Sequence, residues 1–248
     1  MTKSSLRHIA LVDGTAAGLP PKSLTKVAAA LTKQVSNDAG PVWGVQAQVQ
    51  AVTRGASAAK GAWPITVLDV LDTPGAGGVH LDHGRHPYAQ VLNGSHWTLA
   101  ASHELLEMLV DPYGHRFVQG PSIDPTAGGR NVFYLVEVAD PCEVFTKVVS
   151  GIVVSDFVTP EYYRVGAPAA AEMDALGHLR EPFEVPPGCY LSWLDPSDHR
   201  WHQKRPDGSF VTATAEAPAN LIGRAARDAV FAASEPHRHD LAFAFEGH

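Results

Sequence analysis

The sequence predicts a single mixed α/β (α+β) domain, in which a twisted sheet packs against a buried helix. Three observations support this prediction. The chain has 248 residues, 45% of them hydrophobic, which is enough for one sizeable core. Short apolar runs that alternate with period two stand beside segments of helical period. One helical segment, 98–110, is apolar on nearly its whole circumference, which is typical of a buried helix.

The first half of the chain predicts the order strand, helix, strand, strand. The apolar run 8–12 ends at an Asp-Gly turn and predicts the first strand. Ser23 precedes an amphipathic pattern and is expected to be the N-cap of a helix. Residues 37–41 are expected to break that helix. The segments 43–52 and 63–71 predict the two further strands.

An edge strand is expected directly before the buried helix. The run 88–92 has strand composition, but Pro87 at its start indicates a sheet edge because proline cannot donate to a strand ladder. The helix 98–110 follows and is ended by the turn-forming residues 111–114. The sheet edge is therefore expected to lie over the helix.

The second half predicts mainly strands. An apolar run at 132–138 is followed by a hairpin around Ser150-Gly151, and a second hairpin has arms at 190–193 and 199–203. We divide the predicted domain into a core (8–165), a C-terminal hairpin and helix extension (166–233, with the helix at 217–233) and a mobile tail (234–248).

Composition excludes several classes of protein. The formal net charge of −7 and the pI near 6.0 argue against a nucleic-acid partner, since phosphate binding needs a basic surface. No apolar run is long enough for a membrane span or a secretory signal. The two cysteines are far apart, which indicates neither a disulfide framework nor a thiolate metal site. A soluble, cytoplasmic protein is expected. The thirteen histidines raise the question of a metal or proton-transfer site.

The helix 98–110 and the residue after it carry the chemistry. With His103 at 0°, helical geometry places Glu107 at about 40°, Asp111 at about 80° and Glu104 at about 100°. Three carboxylates on one stripe of a buried helix require a positive partner. That partner is either a divalent cation or an arginine or lysine from elsewhere, with Arg116 or Arg130 near in sequence.

The spacing of these residues favours the cation. A His and a Glu four residues apart project side by side, and the intervening Glu104 stands where a general base acts in HExxH helices. Asp111 lies about 12 Å from His103 along the axis, so it either supports the helix end or shares an ion with Glu107. A second acidic segment, 137–143, follows an apolar strand. One of its carboxylates would complete a three-ligand site with an open position.

These segments resemble a known fold. The runs SHELLEMLVDPYG and YLVEVADPCE resemble the zincin-type metallopeptidases, in particular bacterial and phage-like proteins with SHExxExxxDP and a later ExxD. The resemblance covers about residues 8–165. It implies that His103 and Glu107 are metal ligands, that Glu104 is the general base, and that either Glu137 or Asp140 is the third ligand.

One departure from the zincin pattern affects the chemistry. Glu107 stands where HExxH has its second histidine, so the ligand set is harder and more anionic. Zinc remains the expected metal, with manganese or iron as alternatives, or calcium in a different role. Two carboxylates also reduce the Lewis acidity of the ion.

The loop histidines and a tyrosine pair are weaker candidates. His80, His83 and His86 are expected to be solvated in a Gly/Asp-rich loop; the alternative is that His80 contributes a ligand or binds substrate. Tyr162 and Tyr163 are expected to be packed aromatics or donors to a substrate oxyanion.

Three other features have structural explanations. Cys142 is expected to be a buried thiol. Trp193, Trp201 and His202 are expected to pack within the hairpin, and His237 and His239 are expected to belong to the tail.

Two functional hypotheses follow. The first is a zinc-type metallopeptidase acting on a peptide or protein substrate, with the edge strand at 88–92 pairing with the extended peptide. The second is a catalytically inactive zincin-like protein with a structural or binding role, for example an assembly component, which retains or has lost the metal. An ion-pair network without any metal is the third possibility.

Overall fold

The computed structural model describes residues 5–73 and 75–216, with the backbone alone at 214–216. The predicted helix at 217–233, the predicted tail at 234–248, and with them His237 and His239, lie outside the described residues. The described part is a mixed α/β structure with three sheets. Within it, no helix combines the length and the apolar character that are needed to cross a bilayer.

The strands are numbered in chain order. They are β1 Arg7–Asp13, β2 Ala47–Val52, β3 Trp63–Leu68, β4 Gly78–His83, β5 His86–Leu92, β6 Phe117–Pro121, β7 Asn131–Leu135, β8 Thr146–Val149, β9 Ile152–Ser155, β10 Leu191–Asp195, β11 Arg200–Lys204 and β12 Phe210–Glu216. The α-helices are α1 Pro21–Gln34, α2 Gly40–Trp43 and α3 Trp97–Val110.

The first sheet has the strand order β2-β1-β3-β5-β4. Four of its strands are parallel and β4 is antiparallel to β5. The expectation that 88–92 is an edge strand is therefore wrong, because β5 lies between β3 and β4, and β4 forms this edge of the sheet. Pro87 is the second residue of β5, beside the hairpin turn, where a strand tolerates a residue without an N–H.

The first helix differs from its prediction at both ends. It begins at Pro21, with Pro20 rather than Ser23 at the N-cap, because proline is well suited to the first helical turn. Residues 37–41 do not break it. The chain continues through a wider π-helical turn, Val35–Ala39, into α2, and the helix ends at Gly44, whose φ is 70°.

The second sheet joins residues that are far apart in sequence. Its order is β12-β11-β10-β7-β6, and all its pairs are antiparallel. The predicted boundary at 165 therefore separates strands of one sheet. The hairpins at Ser150-Gly151 and at 190–203 are confirmed.

The helix α3 is shared by two apolar cores. Leu105 and Met108 pack with the first sheet and α1, whereas Leu106 and Val110 pack with side chains around the second sheet. This double role explains why the helix is apolar on nearly all sides, and its predicted burial is confirmed.

A buried polar network fixes α3 against its neighbours. The Ser102 hydroxyl donates to Gln34 Oε1 at 2.8 Å and accepts from the Ser155 N–H at 3.0 Å. Gln34 Nε2 donates to the Ser155 carbonyl at 2.8 Å. The three residues belong to α3, α1 and β9, so the network sets the position of the residue that follows Ser102, which is His103.

Candidate metal centre

Six ionisable side chains meet between the edge strand, α3 and the segment after β7. All are buried, and His103 is the most exposed at 7%. They are His80 from β4, His103, Glu104 and Glu107 from α3, and Glu137 and Asp140 from the segment after β7.

The turn after β7 brings Glu137 and Asp140 to the cluster. β7 ends at Leu135, and the chain turns at once, since the Glu137 N–H donates to the Leu135 carbonyl. It then crosses α3, where the Ala139 N–H donates to Glu107 Oε1 at 3.4 Å. The acidic segment does return over the helix, as the sequence suggested.

The first group of possible ligands is formed by His103, Glu107 and Asp140. His103 Nε2 lies 3.2 Å from Glu107 Oε1 and 3.1 Å from Asp140 Oδ1. Ligand atoms about 2.1 Å from a common ion stand about 3 to 4 Å from one another, so these separations also suit a shared cation. The three residues are among those that could hold a metal ion.

His103 also provides positive charge to this group. Burial disfavours its charged form, but the nearby Glu107, Asp140 and Glu104 outweigh burial and raise the pKa of His103 well above its usual 6.5. An imidazolium and a metal ion would therefore compete for the same two carboxylates.

A second group shares Glu107 with the first. His80 Nδ1 lies 3.4 Å from Glu107 Oε2 and 3.9 Å from Glu137 Oε2. His80 Nε2 is 3.3 Å from the Asp111 carbonyl, which can only accept a hydrogen bond. A hydrogen bond from Nε2 directs Nδ1 towards the carboxylates, which is how outer contacts orient histidine ligands.

Glu104 is held from the side of β4. Its Oε2 lies 3.5 Å from His80 Nδ1. A Cβ atom at Gly78 would come within 2.8 Å of Glu104 Cγ and Oε1, so only glycine lets the strand approach this closely. Sequence reasoning missed Gly78, because its significance comes only from pairing of the unrecognised strand β4.

The expectation of a solvated loop is wrong for His80. It lies on β4 with 1% exposure, whereas His83 and His86 are exposed at the end of the hairpin. The alternative that His80 contributes to the site agrees with its position.

Asp111 supports the end of α3. Its Oδ1 accepts from the His115 N–H at 3.0 Å and its Oδ2 from the Arg116 N–H at 2.7 Å. Both oxygens thus bind the turn after the helix, and the alternative in which Asp111 shares an ion with Glu107 loses its basis.

The two tyrosines are packed aromatics. Tyr162 donates to the Glu184 carbonyl at 2.9 Å, and Tyr163 donates to the Glu137 carbonyl at 3.0 Å. Burial raises the pKa of both phenols well above 10. Tyr163 therefore supports the backbone of the site.

The other sequence candidates also have structural positions. Cys142 is buried with its thiol near two main-chain carbonyls, and burial raises its pKa. Trp193 stacks on His202 across the hairpin, and Trp201 is buried.

The two arginines proposed as ion-pair partners lie elsewhere. Arg116 stacks over the Trp43 ring and donates to the Val110 carbonyl. Arg130 pairs with Asp195 at 2.7 Å.

Glu143 is a further acidic group near the site to which sequence reasoning assigned no role. Burial raises its pKa to about 7, and His103 opposes the shift while Asp140, Glu107 and Glu104 add to it. Its side chain is partly exposed, unlike the six residues of the cluster. Its only sequence signal is its place in the acidic segment 137–143.

Comparisons with known proteins add no family to this description: no protein-family model, no curated protein and no solved structure matches the chain.

Proposed function

We propose that this protein is a metal-dependent hydrolase of the zinc metallopeptidase type, with a divalent cation held by His103, Glu107 and Asp140. The observation that carries the proposal is the approach of one buried imidazole nitrogen to two carboxylates, at 3.2 and 3.1 Å. One nitrogen and two oxygens from three residues form the open ligand set of a catalytic site. Of the two acidic residues considered for the third ligand, Asp140 stands nearer to His103 in this arrangement.

The donor atoms of these three residues suit a divalent cation. Imidazole and carboxylate donors bind zinc, and they also accept manganese or iron. When bound, such a cation supplies Lewis acidity, which polarises a carbonyl and makes water a better nucleophile. Four carboxylates in one buried cluster supply the negative charge that attracts it.

Glu104 is the general base in this proposal. It follows His103 directly and lies against Gly78 and His80, which restrict its carboxylate. A restrained carboxylate beside the ion can accept the proton of an attacking water and return it to the leaving amine. His80 is a positioning residue for Glu104. Its Nε2 is directed at the Asp111 carbonyl, and this orients the ring so that its Nδ1 lies 3.5 Å from Glu104 Oε2.

The substrate is proposed to be an extended peptide that pairs with β4. This strand is one of the two edge strands of the first sheet and carries His80 into the cluster. Strand addition at β4 would bring the backbone of a peptide past Glu104. Peptide pairing at β4 replaces the pairing that was expected at 88–92, because β5 is already paired with β3 and β4.

A second candidate function is a structural metal centre without turnover. The burial of all six residues favours it, because a closed site admits a small ion more easily than a peptide. The protein would then serve as a zincin-like binding or assembly component.

One experiment separates these functions. Protein made in metal-replete medium is analysed for bound metal, and cleavage of a peptide library is measured for wild type and Glu104→Gln. Metal in both with cleavage by wild type alone supports the hydrolase. Metal in both without cleavage favours the structural centre. Absence of metal from both removes the two candidates and leaves the ion-pair network.

A further inference from the structure

A pair of buried carboxyl groups lies outside the cluster around α3. Asp156 follows β9 directly, and Asp174 belongs to the long segment before β10. The exposed fractions of the two residues are 1% and 0%. Their carboxyl groups form a hydrogen bond with each other. Because an ionised carboxylate can only accept, this hydrogen bond requires a proton on one of the two groups.

The main-chain donors around the pair decide which group holds the proton. Asp174 Oδ2 accepts from the His178 N–H at 3.0 Å, and its Oδ1 accepts from the Leu179 N–H at 2.7 Å. Asp156 has one such donor in the described part of the chain, the Phe157 N–H. Two donors stabilise the charged form of Asp174 more than one donor stabilises that of Asp156. The proton therefore resides on Asp156, which donates it to Asp174.

The pKa values of the two groups agree with this assignment. Burial, followed by the hydrogen bond with Asp174 and the charge of Asp174, raises the pKa of Asp156 to about 8. Burial also raises the pKa of Asp174, but the hydrogen bond from Asp156 and the two main-chain donors outweigh burial and bring that pKa below 3.8. At neutral pH the pair therefore has one proton and a single negative charge.

Three other titratable groups of the described residues face the pair. His178 Nδ1 lies 3.9 and 3.5 Å from the Oδ2 atoms of the first and second aspartate, and its side chain is 44% exposed, so solvent screens its charge. Lys147 of β8 acts on Asp156 but is itself paired with Asp38 at 2.6 Å. Burial and the charges of the pair raise the pKa of the Cys142 thiol, which is neutral. None of these three groups replaces the shared proton.

The pair fastens the segment 172–179 to the chain that follows β9. The Thr159 N–H donates to the Met173 carbonyl at 2.8 Å, and the Ala175 N–H donates to the Phe157 carbonyl at 3.0 Å. Met173 also packs with Phe157 in the core around the second sheet. The two carboxyl groups thus lie where the segment and the chain after β9 are in contact.

The chain after β9 also contacts the candidate metal centre. The Val158 N–H donates to the Val138 carbonyl at 2.7 Å, and the Tyr163 hydroxyl donates to the Glu137 carbonyl at 3.0 Å. Both acceptors belong to the acidic segment that brings Glu137 and Asp140 to the cluster. A change at the carboxyl pair would therefore be transmitted to this segment through main-chain hydrogen bonds.

We propose that Asp156 and Asp174 form a pH-sensitive latch, which shares one proton at neutral pH and releases the segment 172–179 when alkaline pH removes that proton. With both groups ionised, the hydrogen bond between them is lost and two buried negative charges face each other. The latch needs neither a metal nor a substrate, so it does not depend on the proposed function.

The sign of the pH dependence follows from the raised pKa of Asp156. The closed segment holds a proton that the open segment releases above the ordinary pKa of 3.8. The stability of the closed form is therefore greatest in acid and is lost as pH rises towards about 8. Release of one proton makes opening about tenfold more favourable per pH unit in this range, and the effect is level at higher pH.

The experiment measures hydrogen exchange of the full chain by mass spectrometry from about pH 5 to about pH 9, corrected for intrinsic exchange rates. In wild type, the protection factor of the segment 172–179 should fall about tenfold per pH unit up to about pH 8. In Asp156→Asn it should not depend on pH, because the side-chain amide donates to Asp174 at every pH. The control Asp207→Asn removes an exposed carboxylate and should keep the wild-type dependence.

Four outcomes would overturn the proposal. The first is wild-type protection that stays constant with pH, a result that does not depend on whether Asp156→Asn folds. The second is a pH dependence that persists in Asp156→Asn. The third is its loss in His178→Gln, which would assign the titration to the histidine. The fourth is an equal fall in the protection of α1, which would indicate global unfolding rather than release of the segment.

Discussion

Buried carboxylates in the described part of this protein occur in two kinds of surroundings. Asp111 and Asp195 receive main-chain N–H groups, and Asp195 also receives the Ser197 hydroxyl and the Arg130 guanidinium. Glu107 accepts a long hydrogen bond of 3.4 Å from the Ala139 N–H, but Glu107 and Asp140 mainly face other carboxylates and the rings of His80 and His103. The first kind holds turns together, whereas the second concentrates negative charge that a cation would neutralise.

The difference also shows which carboxylates a sequence can identify. Asp111 and Asp195 each mark the end of a regular element and have donors nearby in the chain. The cluster around α3 draws its members from three distant segments. The source of the partners therefore separates a structural aspartate from a candidate ligand: the first binds main-chain groups of its own turn, and the second faces ionisable side chains of distant segments.

The largest expected effect distinguishes the two possible third ligands. Asp140→Asn should weaken zinc binding by more than about 100-fold, since it removes a direct ligand and outer contacts alone cost about 10- to 100-fold. Glu137→Gln should weaken it less, because Glu137 lies nearer to His80 than to His103. Competition titration with a chromophoric chelator measures both. A greater loss in Glu137→Gln would move the ion to the His80 group.

The next effect tests the close approach of β4. Gly78→Ala should reduce kcat/KM for a cleaved peptide by about 100-fold, since a displacement of about 1 Å at a catalytic group costs that much. Metal content should stay unchanged. The control is Gly94→Ala, where an added Cβ meets open space and φ is not positive. Equal activity in both variants would remove Glu104 from the catalytic role.

A third prediction concerns the support of α3. Ser102→Ala leaves the buried Ser155 N–H without its acceptor and should lower the free energy of unfolding by about 1 to 3 kcal/mol. Urea unfolding measures the loss. Ser36→Ala is the control, because Ser36 is exposed and its hydrogen bonds are local. A similar small loss in both would show that the network does not hold α3.

The smallest effect belongs to the structural carboxylates. Burial raises the pKa of Asp195, but Ser197 and Arg130 outweigh it and bring the pKa below 3.8. A depressed folded-state pKa stabilises the protein above pH 3.8 and the stabilisation is lost as pH falls through the folded value. Asp195→Asn should therefore cost about 1 kcal/mol at neutral pH, and less in acid. Metal content should not change; loss of metal would show that Asp195 has more than a structural role.

Much of the site on α3 could be predicted from the helical spacing of its residues. Helical spacing alone puts His103, Glu104 and Glu107 on one side, and the all-round apolar pattern predicts burial. The acidic segment could be connected with the helix because it follows a strand. Which of Glu137 and Asp140 approaches His103 depends on the turn after β7, which no local pattern determines.

The contribution of β4 could not be predicted. Its residues mix histidine, aspartate and glycine, so it lacks the β-branched composition that marks a strand. It is a strand because β5 offers it a partner and because Gly84 and Arg85, both at positive φ, form the turn between them. Without β4, His80 looks like a solvated residue and Gly78 has no role.

The most direct test of the central claim is anomalous scattering at the zinc edge, from crystals grown with zinc. We expect a peak within about 2.0 to 2.2 Å of His103 Nε2, Glu107 Oε1 and Asp140 Oδ1. The metal centre would be contradicted by crystals grown with zinc that show no peak there and in which His103 hydrogen-bonds directly to Glu107 and Asp140. The cluster would then be an ion-pair network.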